Sequence, residues 1–174
     1  MIALLITLLF SSYSFAQFSL GVNIGSQAGL SGDLSKYVTS GFGLNTTCKF
    51  NFSSFPIAIA IGIGYDDWPN GNSNFYAHTH SMIFEVSPMY NQRINGTKLS
   101  GYVGFSLGIM CIPLFSERES ISGGPVYSPF IGVEYDLLPN KLALDLNIKY
   151  SNYNQIQGNK SSWYSIKTGL FYTF

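Results

Sequence analysis

Seven charged side chains have the types and spacing that could do chemistry. Lys49, Lys98, Lys149, Lys167, Glu85, Glu134 and Asp145 all alternate with large apolar residues. Each therefore shares a side with Gly, Ser, Ala or Asn. Charges lined up on one face could pass a proton or a solute. The same charges paired with one another form a structural plug. Counting back from a turn at 138–141 places Glu134 opposite Asp145. Two like charges in contact need a cation between them, and Lys167 is the nearest by register. A cluster of Glu134, Asp145 and Lys167 is expected, in a structural role.

Other constellations are weaker. His78 and His80 share a face at i and i+2, but a zinc site needs three or four ligands and no third is near. They read as histidines at the rim. The stretch Asp66-Asp67-Trp68-Pro69-Asn70-Gly71-Asn72 has the oxygens of a calcium loop. Its Trp and Pro spoil the ligand spacing and no bidentate Glu closes it, so a turn-rich loop is expected. Cys48 and Cys111 fall at opposite ends of their segments and are expected as free thiols, since bridged Cα atoms lie within about 7 Å. No catalytic residue, metal or cofactor is expected.

The elements that position these residues are strands of period two. Apolar residues recur at every second position around 18–25, 42–50, 57–65, 81–91, 98–109, 131–137, 142–150 and 164–174. Segments 26–39, 66–77, 111–125 and 151–161 are long and rich in Gly, Ser and Asn, whereas 53–55, 92–97 and 138–141 are short. Turn signals mark the short ones: Phe55-Pro56, Asn95-Gly96 and Pro139-Asn140. Only 10% of residues are charged and 16% are aromatic, against about 25% charged in an ordinary soluble domain. A zero formal net charge recommends no nucleic acid as partner. Eight alternating strands with long and short connections in turn predict an all-β fold, an eight-stranded antiparallel transmembrane up-and-down β-barrel.

The chain ends point to a compartment. Ile2 to Phe10 is an apolar run too short to span a bilayer, followed by the small-x-small site Ser14-x-Ala16. A signal peptide over 1–16 is expected, cut between Ala16 and Gln17, with a barrel domain over 17–174. At the other end, Lys167, Gly169, Tyr172 and Phe174 resemble the C-terminal assembly signal of bacterial outer-membrane barrels. With the alternation, the whole mature chain resembles the outer membrane protein beta-barrel domain family, the small barrels of OmpA- or OmpX-like architecture. That resemblance implies export to the bacterial outer membrane and insertion by the barrel-assembly machinery. It also implies contact with outer-membrane lipid and lipopolysaccharide. No OmpA-type periplasmic domain is expected beyond the last strand.

The aromatics fit girdles at the two membrane interfaces. Tyr65, Trp68, Phe75, Tyr76, Tyr127, Trp163 and Tyr164 are expected at the outer rim. Phe18, Phe52, Phe55, Tyr90, Tyr135, Tyr172 and Phe174 are expected at the periplasmic rim. The expected role is structural or interactive, with the exposed loops meeting lipopolysaccharide or a partner. Two alternatives belong to other classes. Lys149-Tyr150-Ser151-Asn152 is similar to the His-x-Ser-Asn motif of the lipid A deacylase family, but Lys149 stands where the general base should be. Ala58, Ala60, Gly62 and Gly64 leave room on one side for a narrow channel or an apolar-solute carrier.

Overall fold

The computed structural model describes residues 16–32, 40–52, 55–69, 78–112, 122–154 and 160–174. Eight strands form in chain order: β1 (Ala16–Gly32), β2 (Ser40–Phe52), β3 (Ile57–Pro69), β4 (His78–Arg93), β5 (Leu99–Ile112), β6 (Ser122–Leu138), β7 (Leu142–Asn154) and β8 (Lys160–Thr173). Each pairs antiparallel with the next, and β8 returns to pair with β1, closing the barrel. Closure leaves no sheet edge with unpaired backbone groups.

Alternation decides which residues face out. Leu20, Val22 and Ile24 on β1, Ile61 and Ile63 on β3 and Leu144, Leu146 and Ile148 on β7 are all exposed. Ile109 and Ile131 reach 60% exposure. An apolar surface that encircles the molecule far exceeds the patches found on soluble monomers. It matches the lipid-facing band of a membrane barrel, in which every backbone group must be bonded within the wall. The inward positions are Ser, Asn, Gly and the charged residues, with a few large apolar side chains.

Ala16, Phe174 and the described residues of the three short turns lie at one end of the barrel. Gly96 (φ 76°) and Asn140 (φ 57°) take the left-handed conformation in two of these turns, which suits Gly and Asn. Phe174 donates its N–H to the Phe18 carbonyl (2.9 Å) and packs on the rings of Phe18 and Tyr172. At the other end the strands outrun the apolar alternation. β1 continues to Gly32, β3 to Pro69 and β6 starts at Ser122, inside segments expected as loops. The ladder continues there on polar residues, because hydrogen bonding needs no apolar side chain once the wall leaves the hydrocarbon. Residues 1–15, most of the expected signal peptide, and the rim residues Phe75 and Tyr76 lie outside the described residues.

Candidate functional site: the charged bore of the barrel

The bore is built in layers. At the end that holds Phe174 is a polar mouth with a cavity of ≈ 220 Å³, lined by Gln17, Asn51, Asn91, Arg93, Asp136 and Thr173 among others. Arg93 and Asp136 pair across it at 2.8 Å.

The next layer holds the expected carboxylates. Glu134 and Asp145 are directly opposite on β6 and β7, as the turn count predicts. The cation is not Lys167 but Lys49, whose ammonium pairs with Glu134 and lies 4.8 Å from the centre of the Phe171 ring. Asp145 is held by neutral donors: the Tyr102 hydroxyl at 2.6 Å and the Asn23 amide at 2.7 Å. Both of its oxygens are thus hydrogen-bonded, which a carboxylate buried to this degree requires. Gly132 makes the arrangement possible, because a Cβ there would run into the Tyr102 ring.

Lys167 lies higher. Its register partner on β7 is Asn147, two residues beyond Asp145 towards the outer end. From there its ammonium faces Asp66 at 3.6 Å, and Asp66 also accepts from Gln27. Asp66 is not part of a calcium-type loop. It faces inward on β3 and is 1% exposed. Its parity with Gly62 and Gly64 was the available signal, hidden because the apolar alternation stops at Tyr65. Between these layers Lys149 donates to both oxygens of Glu85 (2.7 and 2.8 Å). Lys98, expected on the inner face, is exposed in the turn before β5.

The outer end is capped. Trp68 and Trp163, expected in the outer girdle, point inward and meet edge to face, with centroids 5.9 Å apart. Met110, Val126 and Tyr153 complete the cluster. Parity explains the correction: Tyr65 and Tyr164 face out, so Trp68 and Trp163 face in. The room left by Ala58 and Ala60 is filled by Met89, Tyr102 and Phe130, which pack with them. Between the ion pairs, among the described residues, lie cavities of ≈ 40 and ≈ 20 Å³. Those volumes suit one to a few waters.

The remaining motif residues have clear places. Ser151 faces the bore and accepts a hydrogen bond from Ser128 at 2.9 Å, while Lys149 is committed to Glu85. His80 faces outward near the outer end, bonded through Nδ1 to the Tyr65 hydroxyl (2.6 Å) and close to Asp67 (3.3 Å). Cys48 on β2 and Cys111 on β5 are free thiols on non-adjacent strands.

The closed antiparallel wall, the outward apolar band and the filled bore define a small eight-stranded barrel of the outer-membrane type. Solved structures share this fold. Neisserial surface protein A superposes with a TM-score of 0.71 at 16% identity, covering 91% of this chain and 99% of that one. The N-terminal β-barrel domain of Pseudomonas aeruginosa OprF gives 0.52 at 12% identity, covering 91% and 99%. Ail, the attachment invasion locus protein of Yersinia pestis, gives 0.51 at 15%, covering 91% and 97%, and is also known in complex with the heparin analogue sucrose octasulfate. No family model and no curated protein sequence matches the chain.

Proposed function

We propose that this chain is an integral protein of the bacterial outer membrane. The barrel is its anchor, and its function lies at the outer end, in contact with lipopolysaccharide or a partner. Segments 33–39, 70–77, 113–121 and 155–159 connect the strands at that end. The observation that carries this reading is the filled bore. The ion pairs Lys49–Glu134, Lys149–Glu85 and Lys167–Asp66 and the Trp68–Trp163 cap occupy the interior, which favours an anchor over a conduit. The inward, hydrogen-bonded Ser151 likewise gives no support to acyl hydrolysis by a deacylase-type mechanism.

Export follows the same proposal: a signal peptide over 1–16 is removed between Ala16 and Gln17. The C-terminal residues Lys167, Gly169, Tyr172 and Phe174 serve as the assembly signal for the barrel-assembly machinery. N-terminal sequencing of the membrane-extracted protein should begin at Gln17.

The surface chemistry narrows the ligand. The outer connections and adjoining strand ends carry Asp33, Asp67, Glu117 and Glu119 against Lys36, Arg118 and Lys160. They are otherwise rich in Asn, Gln and aromatics. That balance favours contact through hydrogen bonds and rings, as with the sugars of lipopolysaccharide, over a densely sulfated ligand such as the heparin analogue in complex with Ail. The test replaces the four connections by short turns. The trimmed barrel should still insert but lose binding to lipopolysaccharide micelles, and sucrose octasulfate should bind neither form. Equal lipopolysaccharide binding by both forms would overturn the reading. Steady unitary currents in planar bilayers would favour the channel alternative, and altered lipid A mass spectra the enzyme.

A further inference from the structure

Prolines break the barrel wall at two places inside the apolar band. The β4–β5 ladder runs to Val86↔Leu107 and resumes at Met89↔Gly104 with its register unchanged. Pro88 therefore stands opposite Phe105, and Ser87 opposite Ser106. The β6–β7 ladder runs from Val126↔Tyr153 to Tyr127↔Asn152 and resumes at Phe130↔Lys149. Pro129 therefore stands opposite Tyr150, and Ser128 opposite Ser151. A proline has no N–H to give. In each gap the missing bond is the one from proline to the carbonyl opposite, so Phe105 and Tyr150 lose their ladder donor. No water replaces it in hydrocarbon. Pairing across β1–β2, β2–β3, β3–β4, β5–β6 and β7–β8 is continuous among the described residues.

Each break is bridged on the inner face, in the adjoining row, by a pair of serines. Ser87 and Ser106 hydroxyls are 2.7 Å apart across β4–β5. Ser128 donates to Ser151 at 2.9 Å across β6–β7. All four serines are buried. A third hydroxyl pair, Ser31–Ser162 at 2.6 Å, sits at the one irregularity of the β1–β8 ladder, beside Gly29. A fourth hydroxyl pair, Ser19–Thr173 at 2.8 Å, lies in unbroken β1–β8 ladder, so the two buried serine pairs are set apart by standing beside a proline gap.

We propose that the β5–β6 hairpin is a panel bounded by two weakened seams and latched from inside by Ser87–Ser106 and Ser128–Ser151. The wall opens along these seams before it opens elsewhere. What opening would expose fits the surroundings. Behind the first seam lies the apolar cluster of Met89, Tyr102 and Phe130. In front of it, Gly101 leaves a cleft of ≈ 290 Å³ walled by Tyr90, Val103, Ile131 and Val133. A Cβ at Gly101 would meet nothing within 4 Å, whereas one at Gly104 would strike Phe130 and the Pro88 carbonyl. Apolar interior therefore faces apolar exterior across a thin, interrupted wall.

The test is hydrogen exchange on the barrel refolded in phospholipid nanodiscs. Refolding there is itself the check on the membrane reading, so failure of that reading is distinct from failure of this one. Local opening governs exchange of such amides. Amides of Phe105, Leu107, Tyr150 and Asn152 should exchange at least about tenfold faster than those of the β2–β3 seam, since a typical hydrogen bond contributes on that scale. Replacing both prolines (P88V with P129V) restores the donors and should slow these amides. The pair S87A with S106A should speed those of β4–β5 and leave β2–β3 unchanged. Uniform protection in the native protein would overturn the proposal, as would proline replacements that leave the rates unchanged. If the proline variant does not fold, the native comparison and the serine variant decide the matter.

Discussion

Exchanging Lys49 for Met isolates the electrostatics of the bore. Lys49 faces Glu134 with side-chain exposures of only 5% and 11%, and Asp145 lies directly opposite Glu134. Removing the ammonium leaves two carboxylates in contact, with Asp145 retaining only its Tyr102 and Asn23 donors. Removing one member of a buried pair costs about 3–5 kcal/mol. Removing both (K49M with E134Q) should recover part of that cost, giving a coupling energy of about 0.5–3 kcal/mol. The cycle K167M with E134Q should be additive to within about 0.5 kcal/mol, because Lys167 has no shared partner with Glu134. The assay is reversible urea unfolding in phospholipid vesicles, monitored by tryptophan fluorescence. Trp68 and Trp163 both report, being buried in the cap. A Lys167–Glu134 coupling that equals or exceeds the Lys49–Glu134 coupling would refute the assignment of partners.

Three further outcomes follow from the same geometry. Replacing Trp68 and Trp163 together by Ala removes the cap, and should destabilise the barrel by several kcal/mol at about 3–5 per aromatic; planar-bilayer recording of the refolded variant should then show small currents that the native protein does not. Gly132→Val forces the Tyr102 ring from its place and costs its bond to Asp145, so unfolding should shift by at least about 1–3 kcal/mol, the usual range for overpacking, while Gly101→Val should be near neutral. Phe174→Ser removes the contacts with Phe18 and Tyr172 and should lower the yield of membrane-inserted protein in cells; unchanged assembly would deny the terminal residue a role.

The alternation made the wall legible, because one face meets hydrocarbon and a one-residue slip would invert every side chain. Glu134 opposite Asp145 was legible too, since the short turn at 138–141 sets the β6–β7 register. The identity of the cation was not. Lys49 comes from β2, on the far side of the barrel from β6, and only closure brings it across the bore. Sequence register relates neighbouring strands, and contacts through the interior depend on tilt and stagger. Asp66, Trp68 and Trp163 were misplaced for a second reason. They lie where the wall rises above the apolar band, so residue type suggested loop or girdle while strand parity continued unbroken. The proline breaks at Pro88 and Pro129 were visible as residues, but the serines that bridge them became meaningful only with the register.

We read this chain as a closed barrel seated in the outer membrane. Electrophoretic migration of the protein from an outer-membrane fraction, with and without boiling, tests it most directly. A barrel resists detergent until heated, so the protein should be recovered in that fraction and shift in mobility on boiling. Recovery in the periplasmic fraction with identical mobility before and after boiling would contradict it.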